Sequence, residues 1–168
     1  MVSENEYAPY FKQYIKLVDT NKSIVENLKE SQQEFNIVLE NISKEKHNFA
    51  YEAGKWTLKE LIQHTIDTER IFCYRALCFA RNDKTDLPGF DQDLFSKNDN
   101  ANRRDFSNLL AEMSAVRAAS ILLFESFTDE ALLRKGKASG KFMTVRALGY
   151  LFSGHQLHHL NVVKERYL

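Results

Sequence analysis

The sequence predicts an all-α protein: a four-helix bundle with a short extra N-terminal helix and a long crossover loop. Three observations carry that expectation. Six Gly and two Pro in 168 residues leave few helix breakers. Strand-like alternation is hard to find, whereas apolar residues return every three or four positions along four stretches of about 20 residues each. Polar, Asn-, Asp- or Gly-bearing connections separate those stretches. The length suits a single domain over residues 1–168, enough to bury a substantial core.

Taken in order, roughly Tyr7 to Val18 reads as the short helix, with Tyr10, Phe11, Tyr14, Ile15 and Val18 at helical spacing and Pro9 in its first turn. Asp19-Thr20-Asn21-Lys22 interrupts it, and Asn21 or Ser23 caps a long helix to about Ile42, carried by Ile24, Val25, Leu28, Phe35, Val38, Leu39 and Ile42. Residues 43–55 read as a polar connection in which His47 is a solvated loop residue. Thr57 opens the next helix. Glu60 three residues on completes a capping box, and Trp56 is placed to staple against Leu61. This helix, to about Arg81, is apolar around much of its circumference, as a helix buried in a bundle is. His64 lies within it.

Residues 82–102 form the longest irregular stretch, with a turn signal and two acids in Leu87-Pro88-Gly89-Phe90-Asp91-Gln92-Asp93. Two readings stay open: a functional loop, or a crossover that must be long to span one bundle end. Helical period returns from about Arg103 to Phe124. Thr128-Asp129-Glu130 opens a short turn anchored by Leu132-Leu133, Lys135 to Lys141 is a polar glycine-bearing connection, and Thr144 caps a last helix running to about Arg166.

Charge and composition exclude several classes. Lys+Arg and Asp+Glu balance at 23 each with no basic block, so no nucleic-acid partner is expected. The N-terminus has no basic n-region or apolar h-region of a signal peptide, and no apolar run approaches about 18 residues, so no membrane is expected either. Cys73 and Cys78 are five apart on one helix and point in different directions, so a cytoplasmic protein with free thiols is expected.

The chemistry-bearing stretch is Gly154-His155-Gln156-Leu157-His158-His159. His155 and His159 lie one turn apart and continue the apolar stripe Leu148, Leu151, Phe152 that faces the core. Two imidazoles at that spacing can share one ion. His158 falls on the more polar flank with Asn161 and Glu165. The pair His155 and His158 is geometrically possible but turns away from the core. If the third and last long helices are neighbours, His64 completes a three-histidine set. Three neutral imidazoles leave an open coordination position, the composition of a catalytic site. A bland alternative is a hydrogen-bonded core histidine, which suits His64 alone better than the paired residues. The H-E-x-x-H protease motif fails, because Gln156 stands where the glutamate general base belongs and cannot accept a proton at neutral pH. A base would come from Asp67 or Glu69, or from Asp91 or Asp93 in the long loop. Asp67 and Glu69 can equally support the histidines or pair with Arg70 and Arg75.

These residues also carry a family resemblance. Gly54-Lys55-Trp56-Thr57-Leu58-Lys59-Glu60-Leu61-Ile62-Gln63-His64 with Asp67-Thr68-Glu69-Arg70, then the Leu87–Asp93 stretch, then Gly154 to His159 and Lys164-Glu165-Arg166-Tyr167, resemble the signatures of the DinB-like superfamily. The resemblance covers nearly the whole chain. It implies an up-up-down-down four-helix bundle, a homodimer, and a divalent ion, zinc or nickel, on His64, His155 and His159. Some members are thiol transferases using bacillithiol, mycothiol or glutathione, and others are assigned as metal-dependent hydrolases. The leading expectation is therefore a metal-dependent enzyme that activates a low-molecular-weight thiol for attack on an electrophile, a bacillithiol-type S-transferase. The alternatives are a metal-dependent hydrolase with Glu69, Asp91 or Asp93 as base, and a non-catalytic metal-binding or dimerisation module.

Overall fold

The computed structural model describes residues 2–168. The N-terminal segment is more broken than its periodicity suggests: single turns at Glu4–Glu6 and Pro9–Phe11 lead into one α turn, α1 (Lys12–Ile15). Helix α2 spans Ile24–Glu40 behind a capping box in which Ser23 Oγ accepts from the Glu26 amide and Glu26 accepts from the Ser23 amide. The box expected at Thr57 and Glu60 opens α3, Leu58–Ala80. The long connection is not structureless. It contains a two-residue strand, β1 (Asp86–Leu87), and a helix, α4 (Gln92–Asn98), capped by Asp91 through the Asp93 and Leu94 amides. Helix α5 spans Phe106–Glu125 and α6 Asp129–Leu132. The glycine-bearing connection is a hairpin, β2 (Lys135–Ala138) and β3 (Lys141–Thr144), and Thr144 caps α7, Val145–Arg166. The hairpin and β1 make a small sheet, β1 parallel to β2 and β2 antiparallel to β3.

Helices α2, α3, α5 and α7 form the four-helix bundle, with α2 and α3 each touching both α5 and α7. Paired residues fix the directions. Lys22 just before α2 and Glu34 within it meet Tyr150 and Lys164 of α7, so these two helices run parallel. Gln63, Glu69 and Cys73 of α3 meet Arg104, Arg117 and Ser120 in order, so α3 and α5 also run parallel. Arg117 reaches back to Leu28 and Ser114 to Gln32, so α2 and α5 are antiparallel. The order is up-down-down-up, which corrects the up-up-down-down expectation. It also explains the long connection. Parallel neighbours α3 and α5 oblige the chain to return along the bundle, about 34 Å for a helix the length of α3. The crossover reading therefore holds, and the connection passes over the histidine-bearing face of α3 on its way.

Averaged hydropathy tells something the search for an unbroken apolar run does not. Within the 20-residue α5 an 18-residue window has a mean hydropathy of 1.2, a length and composition that would also cross a membrane. Here it is a bundle helix that buries Leu109, Met113, Arg117, Ser120 and Phe124.

The core falls into two apolar clusters. One gathers Leu28, Phe72, Phe79, Phe124, Leu148 and Phe152. The other gathers Phe35, Leu39, Ile62, Leu109, Leu160 and Tyr167. Between them every long helix contributes polar side chains: Ser31, His64 and Glu69, Arg117 and Ser120, and His155, Gln156 and His159. Half of that layer is a closed ion-pair network. Arg117, 1% exposed, donates from Nε and Nη2 to the two oxygens of Glu69 at 2.8 Å each. Its Nη1 donates to the Leu28 carbonyl at 2.8 Å and to Ser31 Oγ at 2.9 Å, and Ser120 donates to Glu69 at 2.6 Å. The other half is the histidine cluster.

Candidate metal centre

His64 comes from α3, and His155 and His159 from consecutive turns of α7. Because α3 and α7 are antiparallel neighbours, their stripes meet at mid-bundle. The Nε2 atoms of His64 and His155 lie 3.3 Å apart, and those of His159 and His155 lie 3.1 Å apart. The donor atoms of all three fall within 4.8 Å of one another. Two nitrogens bonded at about 2.0–2.1 Å to one tetrahedral ion stand about 3.4 Å apart, close to these separations. The donor set and its spacing thus fit a divalent ion.

Electrostatics keep the ligands in the form an ion needs. Burial, and then the nearby His158, push the His64 pKa down from 6.5 to about 4. Burial and the neighbouring histidines push His155 and His159 well below 6.5. All three are therefore neutral near pH 7, with lone pairs available. Aromatic rings wrap the cluster: Trp56 packs on His64 at 4.7 Å between centroids, Phe72 on His155 at 5.8 Å and Tyr14 on His155 at 5.8 Å. Trp56, expected to staple Leu61, thus also walls the site. Gly154 admits α1 to it: a Cβ there would lie 2.3 Å from the Tyr14 carbonyl oxygen. His159 Nδ1 is buried without a protein partner among the described residues.

The remaining candidates separate cleanly. His158 packs edge-on against Tyr14 at 5.3 Å, on the flank, outside the converging set. Gln156 turns to α2 and donates to Gln32 Oε1. Glu69 cannot serve as a base, since Arg117 and Ser120 occupy its oxygens in the core. The possible pairing of Asp67 or Glu69 with Arg75 is also absent: Asp67 accepts from Gln63 Nε2, and Arg70 pairs with Glu112. Asp67 lines a small hollow with His64 and Gln92 under α4, where burial raises its pKa. Asp91 is spent as the α4 cap. Asp93 lines the same cleft as His159, and Asp99 of the same connection lines the hollow that reaches His64. His47, expected to be solvated, stacks on Phe106 at 3.7 Å and is half-buried.

Two cavities reach the cluster. A wide cleft of about 660 Å³ opens on His159, between Trp56, Tyr51 and Tyr167 on one side and α4 on the other. A smaller one of about 210 Å³ opens on His64 and His155, among Tyr14, Phe72, Phe90 and Arg75. Gln92, the first residue of α4, lines both. Sequence reasoning missed Gln92, Thr68 and Arg75 as site residues. The one available signal was the spacing of Thr68 and Arg75, which continue the α3 stripe that carries His64.

Comparisons with known proteins agree with this architecture. The fold is similar to that of YfiT from Bacillus subtilis, described as "a probable metal-dependent hydrolase with an unusual four-helix bundle topology", at 17% identity and a TM-score of 0.73, over 98% of this chain and 87% of that one. It is also similar to a DinB-like protein, YjoA, from Bacillus subtilis, at 20% identity and a TM-score of 0.60, over 84% of this chain and 87% of that one. Curated protein sequences contain no match. The sequence profile of the DinB superfamily matches residues 27–163, from within α2 to near the end of α7. The chain belongs to the DinB superfamily.

Proposed function

We propose that the protein is a metal-dependent S-transferase that joins a low-molecular-weight thiol to a small electrophile. One observation carries this reading: two separate cavities reach one three-histidine cluster, from the His159 side and from the His64 and His155 side, as a reaction between two molecules requires. A divalent zinc- or nickel-type ion on His64, His155 and His159 would supply Lewis acidity that lowers the pKa of a thiol. The chain's own residues bind and orient. Trp56, Phe72 and Tyr14 exclude water from one face of the cluster, and Gln92 offers an amide between the two cavities. In the reaction the S–H proton passes to solvent through the wide cleft, a sulfur–carbon bond forms, and the bond to any leaving group breaks. A thiol at such a centre needs no strong base, which suits a site whose buried carboxylate, Glu69, is already engaged.

The test is conjugation of common cellular thiols to a chromogenic electrophile by zinc- or nickel-reconstituted protein. We expect thiol-dependent product that is lost in His155→Ala and kept in Asp93→Asn. No turnover with any such thiol overturns the reading. One observation favours a second reading, a metal-dependent hydrolase: Asp93 shares the wide cleft with His159, where a carboxylate could take a proton from water. Ester or amide hydrolysis abolished by Asp93→Asn would establish it instead.

The expected homodimer and cytoplasmic location belong to the same proposal. The outer face of α5 exposes Ala111, Ala115, Ala118, Ala119 and Leu122, a flat apolar strip suited to a second copy. Cys73 and Cys78 are free thiols, which suits a reducing compartment. Sedimentation equilibrium of the wild type and Leu122→Lys tests the dimer, and a monomeric wild type removes it.

A further inference from the structure

We propose that the smaller cavity is a recognition subsite for the carboxylate of a small apolar acid, with the Arg75 guanidinium as its counter-charge and the Thr68 hydroxyl as a second polar contact. This deepens the S-transferase reading and rests on it only for calling the acid a substrate.

The bundle contains two buried arginines, and their surroundings differ. Arg117 is neutralised by Glu69. Arg75, 6% exposed, has no carboxylate within ion-pair distance among the described residues. Its Nη2 donates to the Pro88 carbonyl and to Ser139 Oγ, both at 3.1 Å, and its other N–H groups take no protein acceptor among the described residues. Most of the side chain is withdrawn from water with no carboxylate to neutralise it, its remaining N–H groups stay open to solvent and so to a ligand, and burial alone weakens its hold on its proton. Such an arrangement is expected where the anion arrives with a ligand.

The cavity beside Arg75 is built for that anion. No acidic residue lines it among the described residues, whereas a second cation, Lys141, does, with its Nζ 4.7 Å from the Tyr10 ring centroid. Thr68 is 3% exposed, lines the cavity, and has a hydroxyl without a hydrogen-bond partner among the described residues. The rest of the lining is largely aromatic. At about 210 Å³ the space exceeds the roughly 150 Å³ that accommodates a benzene ring, so an aryl or short alkyl acid fits. His64, Thr68, Phe72 and Arg75 follow at intervals of four, four and three along α3, on one face. The guanidinium carbon lies 6.0 Å from the Phe72 centroid, so the side chain leans back along that face toward the histidines.

The hairpin shows the same purpose. Ser139 and Gly140 form its turn with φ of 52° and 73°. A turn with two positive φ values favours Asn or Gly at its first position, and a serine there carries strain. The Ser139 hydroxyl is what holds Arg75, and the pairing of Leu87 with Ala138 brings the Pro88 carbonyl to the same guanidinium.

The test is calorimetric titration with phenylacetate, phenylacetamide and inorganic phosphate, at about pH 8 so that the histidines are neutral. It is run on zinc-loaded and on chelated protein. We expect phenylacetate to bind at least about tenfold tighter than the amide or phosphate in both forms. Arg75→Gln should weaken phenylacetate by about ten- to a hundredfold and leave the amide unchanged. Thr68→Val, which removes no contact from the Arg75 network, should weaken it by roughly fivefold and guards against a folding defect in Arg75→Gln. Equal binding of acid and amide, equal binding of phosphate, or an acid preference that survives both variants overturns the proposal. So does a preference that disappears on chelation, because the acid would then sit on the ion. Binding is read without turnover, so a failure of the S-transferase reading would leave these results intact and appear only in the conjugation assay.

Discussion

Replacing Arg117 by Met removes the cation at the centre of the bundle and tests whether Glu69 is part of the framework or of the chemistry. The wild-type guanidinium makes four hydrogen bonds of 2.8–2.9 Å, to Glu69, the Leu28 carbonyl and Ser31. In the variant Glu69 keeps only Ser120 as a donor and stays buried. Breaking a buried pair from one side costs about 3–5 kcal/mol, which in a domain of this size lowers Tm by roughly 10 °C. Replacing both partners by apolar residues, Glu69→Leu with Arg117→Met, removes both charges together and should recover most of that loss. Urea unfolding followed by circular dichroism measures all three variants and gives the coupling energy directly. Bound-metal content should be unchanged in the double variant, since neither residue belongs to the converging histidine set. A single-variant cost under about 1 kcal/mol, or a double variant as unstable as the sum of the singles, would refute the reasoning. Loss of metal binding from the folded double variant would place Glu69 in the metal centre.

Three further outcomes are expected. Elemental analysis should find no bound ion in His155→Ala and wild-type content in His158→Ala, and equal loss in both would place His158 among the ligands. In chelated protein, stability should be full above about pH 6.5 and fall as the pH drops toward about 4. The folded pKa of His64 lies below its ordinary value, so the unfolded chain takes up the proton first. His64 alone accounts for about 3 kcal/mol, and His155 and His159 act in the same direction. A urea midpoint that is flat or rises between pH 7 and pH 5 contradicts this. Finally, Gly154→Ala forces a Cβ into the Tyr14 carbonyl and should cost about 1–3 kcal/mol. Faster amide exchange should be confined mainly to α1 and its flanks, and unchanged exchange there would count against the contact.

Local rules were legible wherever one stretch of chain decides its own structure. The capping box at Thr57 and Glu60 and the cap at Thr144 are side-chain-to-amide bonds within three residues, each standing where residue type and spacing place it, and of the two caps left open before α2 it is Ser23 that accepts the amide. The hairpin was not legible, because four-residue strands are too short to show alternation, although Ser139-Gly140 carries a turn signal. Helix α4 was missed for a similar reason: its seven residues bury nothing, so no apolar period marks it.

The histidine cluster divides along the same line. Helical spacing alone put His155 and His159 on one inward face, and the absence of a glutamate at position 156 excluded the protease motif. That His64 meets them depended on α3 lying beside α7, and that Glu69 is engaged depended on α5 bringing Arg117 to it. Helix direction, set by packing between faces far apart in sequence, decided both, and it also reversed the expected topology. The unpaired state of Arg75 lies further still from the sequence, because a charge is unpaired only relative to every element around it. The sequence by itself therefore determined the four long helices, the caps at Thr57 and Thr144 and two of the three converging histidines, all short-range matters of spacing and hydrogen bonding. Only the tertiary structure decided which charges are neutralised, which histidine completes the cluster and which cavities open onto it, because those depend on long-range packing and on what burial removes from water.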